Sequence, residues 1–215
     1  MSEPEPRLVT ITSTQAFGED QPNPDETLPD PLALLGGWLP ANTDELRPLM
    51  TLATIDADGY PDSRNVLLSE FDGEALFFHT DARSRKASEL AANPRVSLTF
   101  VWSELGRQLT VVGDAEPASA EEAAAVFASR SRYLQLLAWS NTSELAERGV
   151  AARREAWAAF AAEHPDGTLD APPTWVGFRV TPRRITFWRG DLDGPSNRVE
   201  YTRSGDGWSA ERLPG

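Results

Sequence analysis

The stretch "MTLATIDADGYPDSRNVLLSEFDGEALFFHT", residues 50–80, decides the fold. It holds three β-rich runs, "MTLATID", "SRNVLLSEF" and "ALFFHT", separated by "ADGYP" and "DGE". Asp-Gly between such runs is a strong hairpin signal, because glycine supplies the positive φ that tight turns require. An antiparallel sheet is therefore expected from local turns alone. Downstream, "SRKASELAAN" (84–93) reads as a short helix stopped by Asn93-Pro94. "RVSLTFVW" (95–102) and "RQLTVVGDAEP" (107–117) read as two more strands. Ser119 and Glu122 form a capping box opening "SAEEAAAVFASR", and helical composition persists through "ELAERGVAARREAWAAFAAEH" (144–164). The chain returns to strands with "TWVGFRVTP", "RITFWRG" and "NRVEYTRSGDGW". Strands, a helical block and strands again predict an α+β domain built on an antiparallel β-barrel with peripheral helices.

Upstream, "DPLALLGGWLPANTDELRPLM" (30–50) reads as a broken helical segment anchored by Leu32, Leu34 and Leu35. Residues 1–28 are rich in Pro, Asp and Glu and are expected to form an unstructured acidic tail, solvated or folded over a pocket. One domain is expected over 29–215. The net charge of -13 argues against nucleic acid and against an anionic membrane surface. No cysteine is present, which removes disulfides, thiolate metal sites and cysteine nucleophiles. The start "MSEPEPRLV" lacks the apolar run of a signal peptide, and no apolar run reaches membrane-spanning length, so a soluble cytoplasmic protein is expected.

Familiar sites fail on residue supply. The single lysine, Lys86, is followed by alanine, so no Walker loop exists, and no G-x-G-x-x-G follows a strand. The two histidines, His79 and His164, lie far apart, which gives little support to a zinc site or a serine triad. Lys86 itself stands out. If Ser84 or Asp81 caps the helix, Arg85 and Lys86 occupy its first turn, where free N–H groups and the positive dipole end already favour an anion. Cations are unfavourable there unless a negative group is bound. A phosphate suits, since lysine acts as a compact point charge where arginine demands a planar partner. Arg64 could add a third charge; the alternative is an exposed pair of cations on a surface helix.

The stretch from "ATIDADGYPDSRNVLLSEF" through "HTDARSRKASELAANPR" to "GRQLTVVGDAE", with "FASRSR", "PPTWVGFRVTPRRITFWRG" and "NRVEYTRSGDGWSAERLPG", resembles the pyridoxamine 5'-phosphate oxidase family. The resemblance spans roughly residues 30–215 and implies a split-barrel flavoprotein, homodimeric, with FMN at the subunit interface. It also implies an FMN site of Arg64, Asn65, Val66, Leu67, His79, Thr80, Arg85, Lys86, Gln108, Trp188 and Arg198. In that site the Arg85–Lys86 pair holds the phosphate and Gln108 hydrogen-bonds the flavin. His79 departs from the family's tyrosine. Aromatic strand residues Trp175, Phe178, Phe187 and Trp188 are expected to bury the dimer interface.

On the substrate side the departures are larger. Ser69 stands where the family has lysine, Val126 and Leu134 where it has tyrosine and serine, and Gly194 and Ser196 where it has arginine and histidine. Only Arg130 remains of that group. A charged hydrogen bond contributes about 1.5–3 kcal/mol, so losing several weakens phosphate binding on the order of a thousandfold or more. The resemblance thus implies an FMN-dependent oxidoreductase, passing electrons to dioxygen, that acts on a substrate other than the vitamin B6 phosphates. Alternatives are a true B6-phosphate oxidase rebuilt by Arg132, Arg189 or the N-terminal segment, a phenazine-pathway-like oxidase, or a flavin carrier without turnover. A pyridoxal phosphate enzyme with Lys86 as Schiff-base lysine also remains open.

Overall fold

The computed structural model describes residues 30–40, 48–165, 167, 169–191 and 193–215; the expected N-terminal tail lies outside them. A short helix α1 (Pro31–Trp38), capped by the Asp30 side chain on Leu32 N, precedes the sheet. Strands β1 (Leu49–Ile55) and β2 (Pro61–Leu67) form the first hairpin, turning at Gly59, whose φ is +87°. The run read as one strand over 63–71 is two. After Leu67 the chain leaves β1, and Ser69 N donates to Phe77 O, so β3 (Glu70–Phe71) pairs with β4 (Leu76–Asp81) instead. That change of partner is where the barrel splits.

Helix α2 (Arg85–Ala92) follows β4 and leads to β5 (Arg95–Trp102) and β6 (Arg107–Pro117). The helical block is α3 (Ala120–Ser129), α4 (Arg132–Ser140), α5 (Ser143–Ala146) and α6 (Val150–Glu163). The capping box of Ser119 and Glu122 forms as expected. The continuous helix expected from 144 to 164 is interrupted between α5 and α6, with Gly149 capping the latter. The two strands expected over 174–190 are one, β7 (Trp175–Arg189). Pro182 sits inside it because β6 slips register between Val112 and Gly113, where an added Cβ on Gly113 would lie 2.2 Å from Thr181 O. A final hairpin, β8 (Asn197–Ser204) and β9 (Gly207–Pro214), turns at Gly205.

The strand order is β2-β1-β5-β6-β7-β4-β3, with β8 and β9 added along β7, every pairing antiparallel. Leu52, Leu98, Phe100, Leu109, Val111, Ile185 and Phe187 line the inner face, and alternation turns their neighbours outward. Phe178 and Phe187 lie in this core, only 7% and 4% exposed. They are therefore not the interface aromatics the sequence suggested. Among the described residues no helix is long and apolar enough to cross a membrane.

Candidate flavin and substrate cleft

The curled sheet leaves a seam between β2 and β4, and a cleft of about 350 Å³ opens there. Asn65, Val66 and Leu67 of the edge strand β2 form one wall, and His79 and Thr80 of β4 the other. Ser84 and Lys86, at the start of α2, close one end. Leu134, Leu137 and Asn141 of the α4 segment cover the opposite side. Arg130, where α3 ends, reaches in beside Trp175.

At the α2 end, Ser84 is the N-cap residue, but its side chain makes no cap bond; its hydroxyl lies 3.3 Å from Thr80 Oγ1, and the Arg64 guanidinium is held beside this helix start, 2.9 Å from Glu89 Oε2. The first turn therefore keeps free backbone donors and carries no acidic residue. Lys86 Nζ donates to Thr80 Oγ1 at 3.1 Å. Burial, then the nearby Arg64 charge, pushes Lys86 below the usual lysine range. Asp81 does not cap the helix. It takes Arg83 by main chain and side chain, and so removes that cation from competition in the cleft. An uncapped helix start with a half-buried ammonium fits a phosphate. FMN's phosphate would be held by Lys86 and the α2 N–H groups, and its body would lie along Asn65–Leu67 and Thr80.

Arg64 and Arg85, which the sequence places with Lys86 at the phosphate, are paired with carboxylates. Arg64 Nη2 lies 2.7 Å from Asp62 Oδ2 and 2.9 Å from Glu89 Oε2, and Arg85 Nε lies 3.0 Å from Asp62 Oδ2. Both guanidinium groups are bound by carboxylates at the rim of the cradle.

One wall of the cleft is a stack. The His79 ring lies parallel to Trp175 at 5.5 Å, with 10° between planes, and the Arg130 guanidinium lies 4.8 Å from the same indole's centre. Trp175 Nε1 donates to Ala123 O at 3.0 Å, which fixes the indole. His79 Nδ1 pairs with Ser69 Oγ at 2.8 Å, so these two departures from the family pattern satisfy each other. Burial first, and the Arg130 charge second, lower the His79 pKa to about 4, which keeps the ring neutral at neutral pH. Arg130 Nε is buried without a hydrogen-bond partner. Leu134 lines the cleft, while Val126 is half-buried one turn before Arg130 on α3. Arg132, considered as a replacement cation, instead donates to the carbonyls of Gly167 and His164, and Arg189 lies over Trp38.

Gln108, Trp188 and Arg198 lie elsewhere. Ladder partners place Val101, Gln108, Trp188, Arg198 and Leu213 in one row across β5-β6-β7-β8-β9, on the outward face. Gln108, Trp188 and Arg198 line a separate depression of about 240 Å³ with Thr110, Thr186 and Gly215. Gly194 and Ser196 belong to the connection entering β8 and so go with this second group. The sequence reading named Leu134 of the α4 wall but missed Leu137 and Asn141 beside it, and it cast Trp175 as an interface residue. The signal for the helix was present in Ser131 followed by "RYLQLLAW", with apolar residues at helical spacing.

Comparison with known proteins agrees with this architecture. A family model described as pyridoxamine 5'-phosphate oxidase matches residues 44–189, and one described as the pyridoxine 5'-phosphate oxidase C-terminal dimerisation region matches 175–214. A Rubrobacter xylanophilus protein named pyridoxine/pyridoxamine 5'-phosphate oxidase is 42% identical over 190 residues, covering 86% of this chain and 87% of its own. A Caulobacter vibrioides protein of the same name is 38% identical, covering 86% and 84%. Among solved structures, PhzG from Burkholderia lata, in complex with tetrahydrophenazine-1-carboxylic acid, superposes with a TM-score of 0.76 at 26% identity, over 93% of this chain and 100% of that one. A pyridoxamine 5'-phosphate oxidase-related, FMN binding protein from Nostoc punctiforme shares the fold, with a TM-score of 0.63 at 21% identity, over 78% and 88%. By family model, by relatives and by fold, the chain belongs to the pyridoxamine 5'-phosphate oxidase family.

Proposed function

We propose that the protein is an FMN-dependent oxidoreductase, working as a homodimer, whose substrate is not a vitamin B6 phosphate. The observation that carries this reading is the cation supply of the cleft. Among the described residues lining one copy's cleft, Lys86 is engaged at the cofactor end, Arg83 is bound by Asp81, and Arg130 is left for a substrate anion, the second copy's Arg198 having been assigned to the flavin. A phosphate dianion paired with one guanidinium is poorly compensated in a half-buried site, whereas a carboxylate is matched by it. Trp175 and neutral His79 add a flat apolar wall suited to an aromatic body. The phenazine carboxylic acid held by the Burkholderia lata structure has that chemistry.

Homodimer formation is supported by the match to the dimerisation region. It also accounts for the split site. The outward row of Gln108, Trp188 and Arg198 would complete the cleft of a second copy, with exposed Val101 of the same row and exposed Leu49 available for burial. Bound FMN would supply hydride acceptance and transfer of electrons to an acceptor such as dioxygen. The chain's own residues do the rest. Lys86 and the α2 start hold the phosphate, Arg130 orients the substrate, and the His79–Trp175 stack excludes water from one face.

The relatives named pyridoxine/pyridoxamine 5'-phosphate oxidase, at 38–42% identity, favour a second reading in which B6 phosphates are oxidised. Oxygen consumption by the FMN-loaded protein separates the two. Pyridoxine and pyridoxamine 5'-phosphates should turn over poorly, and dihydroaromatic carboxylic acids should bleach the flavin. Efficient turnover of either vitamer phosphate would establish the second reading. Restoring Lys at 69, Arg at 194 and His at 196 should raise vitamer activity.

A further inference from the structure

Two acidic groups lie inside what would otherwise be a purely cationic cradle. Glu89, on α2, is only 6% exposed. Its Oε2 accepts from Thr54 Oγ1 and lies 2.9 Å from Arg64 Nη2. Its Oε1 is buried without a hydrogen-bond partner, 3.9 Å from Arg85 Nε. Asp62 bridges the same two arginines. A carboxylate removed from water is costly unless paired, so Glu89 and Arg64 hold each other in place across the β2–α2 gap. The formal charges of Asp62 and Glu89 cancel those of Arg64 and Arg85. Lys86, whose proton affinity burial, Arg64 and Arg85 lower and Glu89 and Asp81 raise, is the cradle cation with no carboxylate in direct ion-pair contact among the described residues.

We propose that Glu89 is a positioning residue for the cofactor phosphate, acting through Arg64, and that its charge holds FMN affinity below what the three cations would otherwise give. The inference rests on the FMN reading above. Glu89 fixes the guanidinium between β2 and α2, and the same carboxylate opposes the incoming phosphate. This predicts a cofactor that exchanges with solution rather than one retained through purification.

Position and charge can be separated by substitution. Glu89→Gln keeps an acceptor for Arg64 and Thr54 but removes the charge; Glu89→Ala removes both. FMN titration followed by flavin fluorescence quenching, on apoprotein checked by circular dichroism and thermal melting, reads the outcome. Glu89→Gln should bind FMN about tenfold more tightly than wild type, with affinity falling more steeply as salt is added. Glu89→Ala should bind less tightly than Glu89→Gln. Asp62→Asn, at a more exposed carboxylate on the same arginine, should shift affinity in the same direction by less, and it serves if Glu89→Gln misfolds. Folded Glu89→Gln with unchanged or weaker affinity overturns the proposal while leaving the cofactor reading standing. Equal affinity of the Gln and Ala variants overturns the positioning role. Wild type that takes up no FMN overturns both readings.

Discussion

Protonating His79 should destabilise the fold by an amount the structure bounds. The ring is stacked on Trp175, its Nδ1 pairs with Ser69 Oγ, and its Nε2 is buried without a partner. Arg130 lies over the same indole. Burial first and the Arg130 charge second disfavour an imidazolium, and the pKa falls from 6.5 to about 4. An unfolded chain takes up this proton near its ordinary value, while the folded chain resists it until much lower pH. Between those values the unfolded state binds more protons, so the stability from this site is complete above the unfolded pKa and is lost as pH falls through the window. At 1.36 kcal/mol per pKa unit the loss is at most about 3.4 kcal/mol, and partial solvent access reduces it to roughly 2. Urea unfolding of wild type and His79→Gln, from about pH 7.5 to about pH 4.5, isolates the effect, because the other titrating groups are common to both. The stability difference in favour of wild type should shrink by about 2 kcal/mol across that range. Parallel curves for the two proteins would refute the argument and mean that the ring is not held neutral.

Lys86→Ala should weaken FMN binding by about 10- to 100-fold in a fluorescence titration, the worth of one charge-assisted hydrogen bond. In wild type, FMN affinity should decline with rising pH, beginning below the range of an ordinary lysine, because the phosphate selects the protonated amine whose pKa burial has lowered. A new Cβ in Gly177→Ala would lie 2.7 Å from His79 Nε2, so the variant should displace the ring from Trp175 and cost about 1–3 kcal/mol in a thermal melt; an unchanged melt would contradict the packing described. Val101→Asp, beside the outward row, should dissociate the dimer in light scattering and release flavin, because the site would lose the second copy's Gln108, Trp188 and Arg198; a dimer that survives the charge would place the interface elsewhere.

What the sequence discloses and what it conceals follow from the range of the forces involved. The stretch "NRVEYTRSGDGW", read as one strand, turns at Gly205 into β9, whereas the hairpin at Gly59, the Ser119 capping box and the start of α2 are local, and each was legible from a few neighbouring residues. The break after Leu67 was not, because a change of strand partner depends on Phe77, ten residues away, offering its carbonyl to Ser69. The continuity of β7 was hidden for a related reason: Pro182 reads as a breaker until the register slip at Gly113 removes the need for its N–H. At the site, motif resemblance brought Lys86, Thr80 and the β2 edge to one cleft, and the structure does place them together. It could not show that Asp62 and Glu89, separated by a strand, a hairpin and a helix start, converge on Arg64. Charge in this cradle is therefore a property of tertiary placement. Three cations in a motif suggest a strong phosphate site, while the carboxylates folded against two of them lower the cradle's net positive charge. The same reasoning applies to Ser69 and His79. Read singly, each is the loss of a family residue; in space they form one hydrogen-bonded pair that replaces a cation with a neutral wall.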